Sequence, residues 1–202
     1  MNPGHSSASA PHFIPEIFLR RFSHPWKPMA LFIPLALLLT WLSLSAHPRS
    51  IGSVVLWIAL GVFAWTLIEY FLHRHVFHLT QIKEPWRSMA SGLHLAHHKT
   101  VDTADLIIAP PISSLTFGTL VYFVFALFTF SFSAAALLET GVLIGYLFYE
   151  WCHYGAHRFQ INSRIGKYLK QYHLRHHFKE PHRAYGVTSP LWDMVFRTLP
   201  KK

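Results

Sequence analysis

The sequence predicts an all-helical integral membrane protein with four transmembrane helices in two hairpins and a helical, histidine-rich cap. Of the 202 residues, 51% are hydrophobic and 13% are charged, whereas an ordinary soluble domain has about 25% charged residues. Four apolar stretches are long enough to cross the hydrocarbon core of a bilayer. Ten of the 16 histidines lie in clusters that begin at or after the ends of the second and fourth of these stretches.

The four apolar stretches set the expected boundaries of the membrane spans. Residues 29–46 carry no charged side chain and would span about 27 Å as a helix. The second predicted span covers residues 51–72 after a short polar break. The third and fourth cover residues 106–130 and 134–154, and a tight turn at 131–133 would join them. Because each pair is joined by only a few residues, we expect two helical hairpins.

The segments outside the spans make up an N-terminal tail and the predicted cap. We expect residues 1–28 to be a cytosolic tail and residues 29–202 to form a single membrane domain. Residues 73–104 and 155–202 would form the cap. Of the 18 Lys and Arg residues, 17 lie in the tail and the cap, and only Arg49 lies in a loop on the opposite side. The positive-inside rule therefore predicts that the cap is cytosolic.

Composition also excludes several classes of protein. Cys152 is the only cysteine, which rules out a disulfide scaffold and the cysteine-rich zinc modules. The net charge of +9 would suit nucleic acid or an anionic membrane surface. Because the apolar stretches are long and no recognised nucleic-acid motif is present, we expect a membrane surface and no nucleic-acid partner.

The ten clustered histidines form an HxxxxH pair, an HxxHH box, an HxxxH pair and a second HxxHH box. On a helix, residues spaced by three or four share a face, so each HxxHH box and the HxxxH pair is expected to aim its rings at one point. The five-residue spacing of the first pair is less helical, and we expect it to straddle a helix end. In order, the clusters are His73 and His78; His94, His97 and His98; His153 and His157; and His173, His176 and His177.

Metal binding is the chemistry that this pattern favours. Imidazole is a ligand for Fe, Zn, Cu and Ni, and ten rings exceed the capacity of one four- to six-coordinate ion but suit two. A non-catalytic metal-binding membrane protein, such as a transporter or sensor, is an alternative from a different class. Transporters place their ligands near the middle of the bilayer, where the predicted spans carry no histidine.

The order and placement of the boxes resemble the membrane fatty acid hydroxylase superfamily, which includes sterol desaturases and sterol methyl oxidases. Its fatty acid 2-hydroxylase branch is the most similar. The resemblance covers about residues 60–199, and we expect no fused cytochrome b5 domain in this chain. It is carried by residues 69–74 (EYFLHR), 93–98 (LHLAHH), 145–153 (GYLFYEWCH), 172–179 (YHLRHHFK) and 186–196 (GVTSPLWDMVF).

The resemblance implies an O2-dependent lipid hydroxylase that carries a di-iron centre on the ten histidines. Zinc would be able to occupy the site in a purified form. The implied reaction is 2-hydroxylation of a fatty acyl chain, either free or in a sphingolipid or ceramide. A sterol or carotenoid oxidase or desaturase on the same scaffold is the alternative. Electrons would come from a separate protein such as cytochrome b5 or a ferredoxin, and the lipid would enter from the bilayer.

No catalytic side chain is expected beyond the metal ligands. Each ligating histidine should donate its second ring N–H to an acceptor, and four acids are candidates: Glu69, Glu150, Asp102 and Asp193. Four aromatic residues are candidates for the wall of an acyl channel or for the interfacial belt: Trp65, Tyr70, Tyr146 and Trp151. We expect a multi-pass protein of a bacterial inner membrane, or of the endoplasmic reticulum if the source is eukaryotic.

Overall fold

Four long helices form the body of the computed structural model, which describes residues 24, 26–79, 81, 83, 86–101 and 103–201. No β-strand occurs within these residues. The predicted all-helical fold with four candidate membrane spans is therefore confirmed. In chain order the described helices are α1 (Trp26–Ala46), α2 (Ile51–Phe71), a π-helix (Leu72–Phe77), α3 (Trp86–Lys99), α4 (Ala104–Ile107), α5 (Pro111–Thr129), α6 (Phe132–Arg158), α7 (Arg164–Phe178) and α8 (Leu191–Val195).

The long helices differ from the predicted spans mainly where proline intervenes. α5 begins at Pro111, five residues after the predicted start at 106. A residue that precedes proline is disfavoured in the helical region, and proline itself suits the first helical position. Residues 104–107 accordingly form the separate short helix α4. The predicted tail (1–28) falls almost entirely outside the described residues.

Helix α6 is the centre of the bundle. Of its apolar stretch, 78% is buried inside the protein, compared with 17%, 11% and 6% for α1, α2 and α5. These three helices all pack against α6. Their outer faces carry large exposed apolar side chains, such as Leu37 and Leu127. Apolar surface on this scale requires lipid around it, which makes the chain a multi-pass membrane protein.

Two glycines let α2 and α6 approach each other closely. A Cβ atom added at Gly61 would lie 2.0 Å from the carbonyl oxygen of Leu138, and one added at Gly141 would lie 2.1 Å from that of Ile58. Side chains therefore cannot replace these hydrogens without moving a backbone. Small residues at helix crossings are the usual means of close packing in membranes, where the hydrophobic effect does not hold helices together.

Hydroxyl groups join α1 to α6 in the same region of the bundle. Ser43 and Ser133 are both buried, and their Oγ atoms lie 2.9 Å apart. The Oγ1 atoms of Thr40 and Thr140 lie 3.2 Å apart. Hydrogen bonds between helices are a second source of stability inside a membrane, so the α1–α6 contact is held at two points.

Replacing Gly141 by alanine should destabilise the bundle. The added methyl group meets the backbone of α2, so the expected loss is about 2 kcal/mol in the free energy of unfolding. The measurement is the melting temperature of the purified protein in detergent, with size-exclusion chromatography to follow aggregation. Gly52→Ala is the matched control, because a Cβ atom at Gly52 meets nothing within 4 Å. Equal melting temperatures for the two variants would contradict the close α2–α6 contact.

The helices of the cap gather at one end of the bundle. α3 packs against the π-helix, and α7 packs against α6. Helix α8 packs against α2. This arrangement brings the π-helix and the last turns of α6 together with α3 and α7, which are the four segments that carry the clustered histidines.

Candidate metal centre

The ten predicted histidines converge into two groups of five. Within each group, one nitrogen of every ring lies within 4.8 Å of the corresponding nitrogen of every other ring. We call these groups site A and site B. Site A contains His73, His78, His94, His98 and His176, and site B contains His97, His153, His157, His173 and His177.

Both HxxHH boxes are divided between the two sites, so the expectation that each box aims at one point is wrong. In the first box His94 and His98 belong to site A, whereas His97 belongs to site B. Successive residues of an α-helix are about 100° apart. Viewed down the helix axis, the last histidine of a box is therefore rotated about 40° from the first in one direction. The middle histidine is rotated about 60° from the first in the opposite direction. Each box lies between the sites and contributes ligands to both.

The π-helix explains the five-residue spacing of the first pair. Residues Leu72–Phe77 continue α2 with wider turns, and His78 follows as the C-terminal capping residue. A π-helix has hydrogen bonds between residues five apart, which brings His73 and His78 to the same side. Both rings consequently reach site A. Such local departures from α-helix are common at functional sites.

The nitrogen-to-nitrogen distances fit a cation at the middle of each site. In site A the Nε2 atom of His94 lies 3.0–3.1 Å from the Nε2 atoms of three other rings. One ring nitrogen carries at most one proton and cannot serve three such contacts as hydrogen bonds. Two ligand nitrogens that each lie about 2.1 Å from one ion, with an angle of about 90° at the ion, would be about 3.0 Å apart. The donor set thus has the spacing of metal ligands.

Site B has the same spacing and adjoins site A. The Nε2 atom of His97 is 3.1 Å from those of His153 and His157, and His157 is 2.9 Å from His173. The rings of His98 and His177, one from each site, stack with centroids 4.0 Å apart. The two sites therefore share one compact cluster of imidazoles.

Burial keeps the cap histidines in the form that binds metal. Removal from solvent, assisted by the neighbouring rings, lowers the pKa of His97 to about 3. Burial is also the main cause that lowers the pKa of His176 to about 3. Both rings are therefore neutral at pH 7, and a neutral imidazole offers the lone pair that a metal ion requires.

Two backbone carbonyl groups fix the orientation of rings in site A. The Nδ1 atom of His73 lies 2.5 Å from the carbonyl oxygen of Tyr185, and that of His176 lies 2.7 Å from the carbonyl oxygen of Arg183. A carbonyl oxygen only accepts, so each Nδ1 atom carries the proton. The Nε2 atoms of both rings consequently present lone pairs to the site, which is the usual arrangement around protein-bound metals.

The loop that supplies these carbonyls, residues 183–188, is itself held by two of the predicted acids. Glu69 accepts hydrogen bonds from the backbone N–H groups of Val187 and Thr188. Asp193 accepts from those of Tyr185 and Gly186. Both carboxyl groups are buried. Within the described residues neither carboxyl group bonds to a histidine ring. Both acids instead bond to the loop whose carbonyl groups orient the rings, whereas the sequence suggested direct bonds to the rings.

The other two predicted acids are placed differently. Glu150 accepts a hydrogen bond from the backbone N–H of Ala109, and its Oε2 atom is buried without a partner among the described residues. The Nδ1 atom of His153, three residues further along α6, also has none. Glu150 therefore does not orient that ring directly. Asp102 lies outside the described residues.

A cavity of about 340 Å³ opens onto the histidines from within the bundle. His73 and His94 of site A and His153 of site B line one end. The rest of the wall is largely apolar, and it includes Trp65 and Tyr146 as the sequence suggested. Tyr70 instead packs against Phe196 with ring centroids 5.1 Å apart, and Trp151 is 44% exposed. The volume is within the range of ligand-binding pockets, about 300–1,000 Å³.

Sequence reasoning missed the loop at residues 183–188 as the support of site A. Ala184 has a positive φ of 58°, and a Cβ atom at Gly186 would lie 2.0 Å from the carbonyl oxygen of Ser189. The loop therefore depends on an unusual backbone conformation and on a glycine. The sequence feature that could have indicated this loop is the GVTS segment at residues 186–189, because a glycine often marks a place where two backbone segments approach closely.

These features define a class: a helical membrane protein with two adjacent five-histidine sites at the end of an apolar cavity. A profile of the fatty acid hydroxylase family matches residues 57–198. The solved structure of full-length Scs7p, in which only the hydroxylase domain is visible, superposes with a TM-score of 0.80 at 27% identity. It covers 91% of this chain and 69% of that one.

Three relatives that are named as hydroxylases are also similar to this chain in sequence. A dihydroceramide fatty acyl 2-hydroxylase of Arabidopsis thaliana (FAH2) is 37% identical over 87% of this chain and 70% of its own length. The ceramide very long chain fatty acid hydroxylase SCS7 of Saccharomyces cerevisiae is 36% identical over 68% of this chain. The human fatty acid 2-hydroxylase is 31% identical over 71%. The matches span only 36% and 39% of the yeast and human proteins.

The chain belongs to the fatty acid hydroxylase family. The resemblance stated from the histidine boxes is therefore confirmed, as is the prediction of a hydroxylase-type oxidoreductase. The similarity to the 2-hydroxylase branch is confirmed too, since the relatives carry that activity in their names.

Proposed function

We propose that this chain hydroxylates C2 of a fatty acyl chain, either free or in a ceramide or other sphingolipid. The observation that carries the proposal is the apolar cavity that ends on histidines of both sites. The reaction inserts one atom of O2 into a C–H bond and reduces the other to water with two electrons and two protons. The activities named for the relatives support the same chemistry.

The shape of the cavity accounts for reaction at C2. Its polar end carries His73, His94 and His153, and its apolar wall extends into the bundle past Leu143 and Phe117. An acyl chain lying along the wall would leave its head group at the cap and its first carbons beside the rings. Carbons far along an extended chain would lie away from the histidines.

Iron is the metal we propose for the two sites. A pair of iron ions, when bound, supplies the activation of O2 that an unactivated C–H bond requires. The ten histidines would hold it, five to each ion, and Glu69 and Asp193 would keep the loop that orients His73 and His176. Zinc would occupy the same nitrogen donors in a purified form, since imidazole binds both metals. The two-ion stoichiometry and the metal's identity belong to this proposal.

The electrons would come from a separate protein at the cytosolic face, such as cytochrome b5 or a ferredoxin. The cap holds most of the Lys and Arg residues, which supports both a cytosolic orientation and attraction to an acidic donor. The same charges would contact anionic lipid headgroups. Location in a bacterial inner membrane stays a prediction.

Metal analysis combined with lipid analysis tests the proposal. Cells that express the chain should contain 2-hydroxy acyl lipids that cells without it lack, and the purified protein should hold about two metal ions. His97→Ala removes a ring of site B and should abolish the new lipids.

Other products would separate the alternatives. Oxidised sterol or carotenoid in place of 2-hydroxy acyl lipid would retain the metal chemistry and replace the substrate. Bound metal with no oxidised lipid of any kind, in cells that also supply an electron donor, would favour the non-catalytic metal-binding protein. A purified chain without metal would overturn the di-metal centre.

A further inference from the structure

A buried carboxyl group lies on α6 far from the two histidine sites. Glu139 is only 3% exposed, and its side chain lines the cavity. Its Oε2 atom is buried and has no hydrogen-bond partner among the described residues. Leaving a buried polar atom unpaired costs free energy, so a carboxyl group at this position is unfavourable for the stability of the bundle. It requires another explanation.

Glu139 marks the end of the cavity that is remote from the histidines. Of the lining residues that the structure describes, none on α6 precedes Glu139 and none on α5 follows Gly118. The two residues face each other, because a Cβ atom added at Gly118 would lie 2.9 Å from the Oε1 atom of Glu139. The glycine leaves the space that the carboxyl group occupies.

The distance from Glu139 to the histidines matches the length of a common acyl chain. Glu139 precedes His153 by fourteen residues on the same helix, which corresponds to a rise of about 21 Å. An extended hydrocarbon chain advances about 1.25 Å per carbon, given C–C bonds of about 1.5 Å. The length of this stretch therefore corresponds to roughly 17 carbons between a C2 atom beside the histidines and the carboxyl group.

The walls around the carboxyl group are apolar. Phe32, Phe117, Val142 and Leu143 line this part of the cavity. A methyl terminus that stops before Glu139 gains contact with these side chains. A longer chain would press methylene groups against the carboxyl oxygens and remove any water that solvates them, which is unfavourable for a polar group without a partner.

We propose that Glu139 is a specificity-determining residue that limits the acyl substrate to about 18 carbons. The inference rests on the proposed 2-hydroxylation, because it places C2 at the histidine end of the cavity. Glu139 does not touch the reacting carbon. It acts at the opposite end, where it makes the cavity unfavourable for the terminal carbons of longer chains.

The test uses the full chain in cells that are fed deuterated, straight-chain saturated fatty acids of 12 to 26 carbons. The readout is the 2-hydroxy form of each labelled chain, normalised to the incorporated, non-hydroxylated chain of the same length. Glu139→Leu replaces the carboxyl group by an apolar side chain of similar size. We expect it to raise the product from 20-carbon chains, relative to 16-carbon chains, about threefold, because the terminal methyl group then contacts an apolar side chain instead of a carboxyl group. Glu139→Gln keeps a polar group and should stay within about twofold of the parent ratio.

A second variant shifts the limit in the opposite direction. Gly118→Ala puts a methyl group against the Glu139 carboxyl group and narrows the remote end of the cavity. The longest chain that is hydroxylated efficiently should become shorter by about one or two carbons. This variant keeps the test decisive if Glu139→Leu does not fold.

Three results would overturn the inference. The first is a parent chain that hydroxylates 22-carbon and 16-carbon substrates equally. The second is a Glu139→Leu or Gly118→Ala protein that is active with the parent's length distribution. The third is an equal shift with glutamine and leucine, which would show that polarity at this position is not the cause. Absence of 2-hydroxy product from every chain length, in the parent itself, would instead overturn the proposed function.

Discussion

His176→Ala is expected to reduce hydroxylation at least a hundredfold and to remove about one metal ion per chain. The ring lies in site A, with its Nε2 atom 3.0 Å from that of His78. The ring is fully buried. A side chain from the protein surface therefore cannot replace it as a ligand in the variant. The Nδ1–H of His176 also bonds to the loop at residues 183–188, and the variant therefore loses a ligand and a contact that orders the loop.

The measurement is metal content by mass spectrometry on the purified variant, together with lipid analysis of the cells. His182→Ala is the matched control, because this histidine lies only six residues away in the same basic segment but is exposed and belongs to neither site. It should keep parent levels of metal and product. Loss of activity in both variants would show that the boundary of the site is drawn wrongly.

Asp193→Asn should lower the metal affinity of site A about 10–100-fold without unfolding the protein. The carboxylate accepts three hydrogen bonds, from the backbone N–H groups of Tyr185 and Gly186 and from the hydroxyl group of Thr198. Asparagine has one acceptor oxygen, and its NH2 group would face a backbone N–H. The loop would then shift, and the Tyr185 carbonyl would no longer hold the ring of His73 in place.

A cobalt(II) titration followed by visible absorption separates this positioning role from general destabilisation. We expect two binding phases in the parent protein and the loss or weakening of one phase in Asp193→Asn, while the second phase and the elution volume on size exclusion stay unchanged. Glu180→Gln is the control, since Glu180 is a partly exposed acid in the same segment that pairs with Arg175. Two unchanged phases in Asp193→Asn would contradict the role assigned to Asp193.

The four spans and the ten histidines were predictable because their signals are local. An apolar stretch such as residues 29–46 identifies a membrane helix from composition alone. The HxxHH and HxxxH spacings place rings on helix faces whatever the rest of the chain does. Helix ends were less predictable, because α5 starts only at the second proline of the Pro110-Pro111 pair.

The partners of the acids could not be predicted, because they depend on contacts between residues far apart in the chain. Glu69 lies more than a hundred positions before Val187, yet the two are in hydrogen-bond contact. Sequence spacing suggested instead that Glu69 would orient His73, four residues further along the same helix. The fold places the loop at residues 183–188 between Glu69 and His73. The carbonyl groups of the loop accept hydrogen bonds from the histidine rings, and the Glu69 carboxyl group accepts hydrogen bonds from N–H groups of the loop.

By itself the sequence determined that this is a four-span membrane protein with ten histidines suited to two metal ions. Hydrophobicity and helical periodicity are properties of short segments, and they do not require knowledge of neighbouring helices. Only the tertiary structure decided how the ten rings divide into two sites, because that division depends on how α3 and α7 are rotated against the ends of α2 and α6. The same packing created the cavity and placed Glu139 at the end of it that is remote from the histidines.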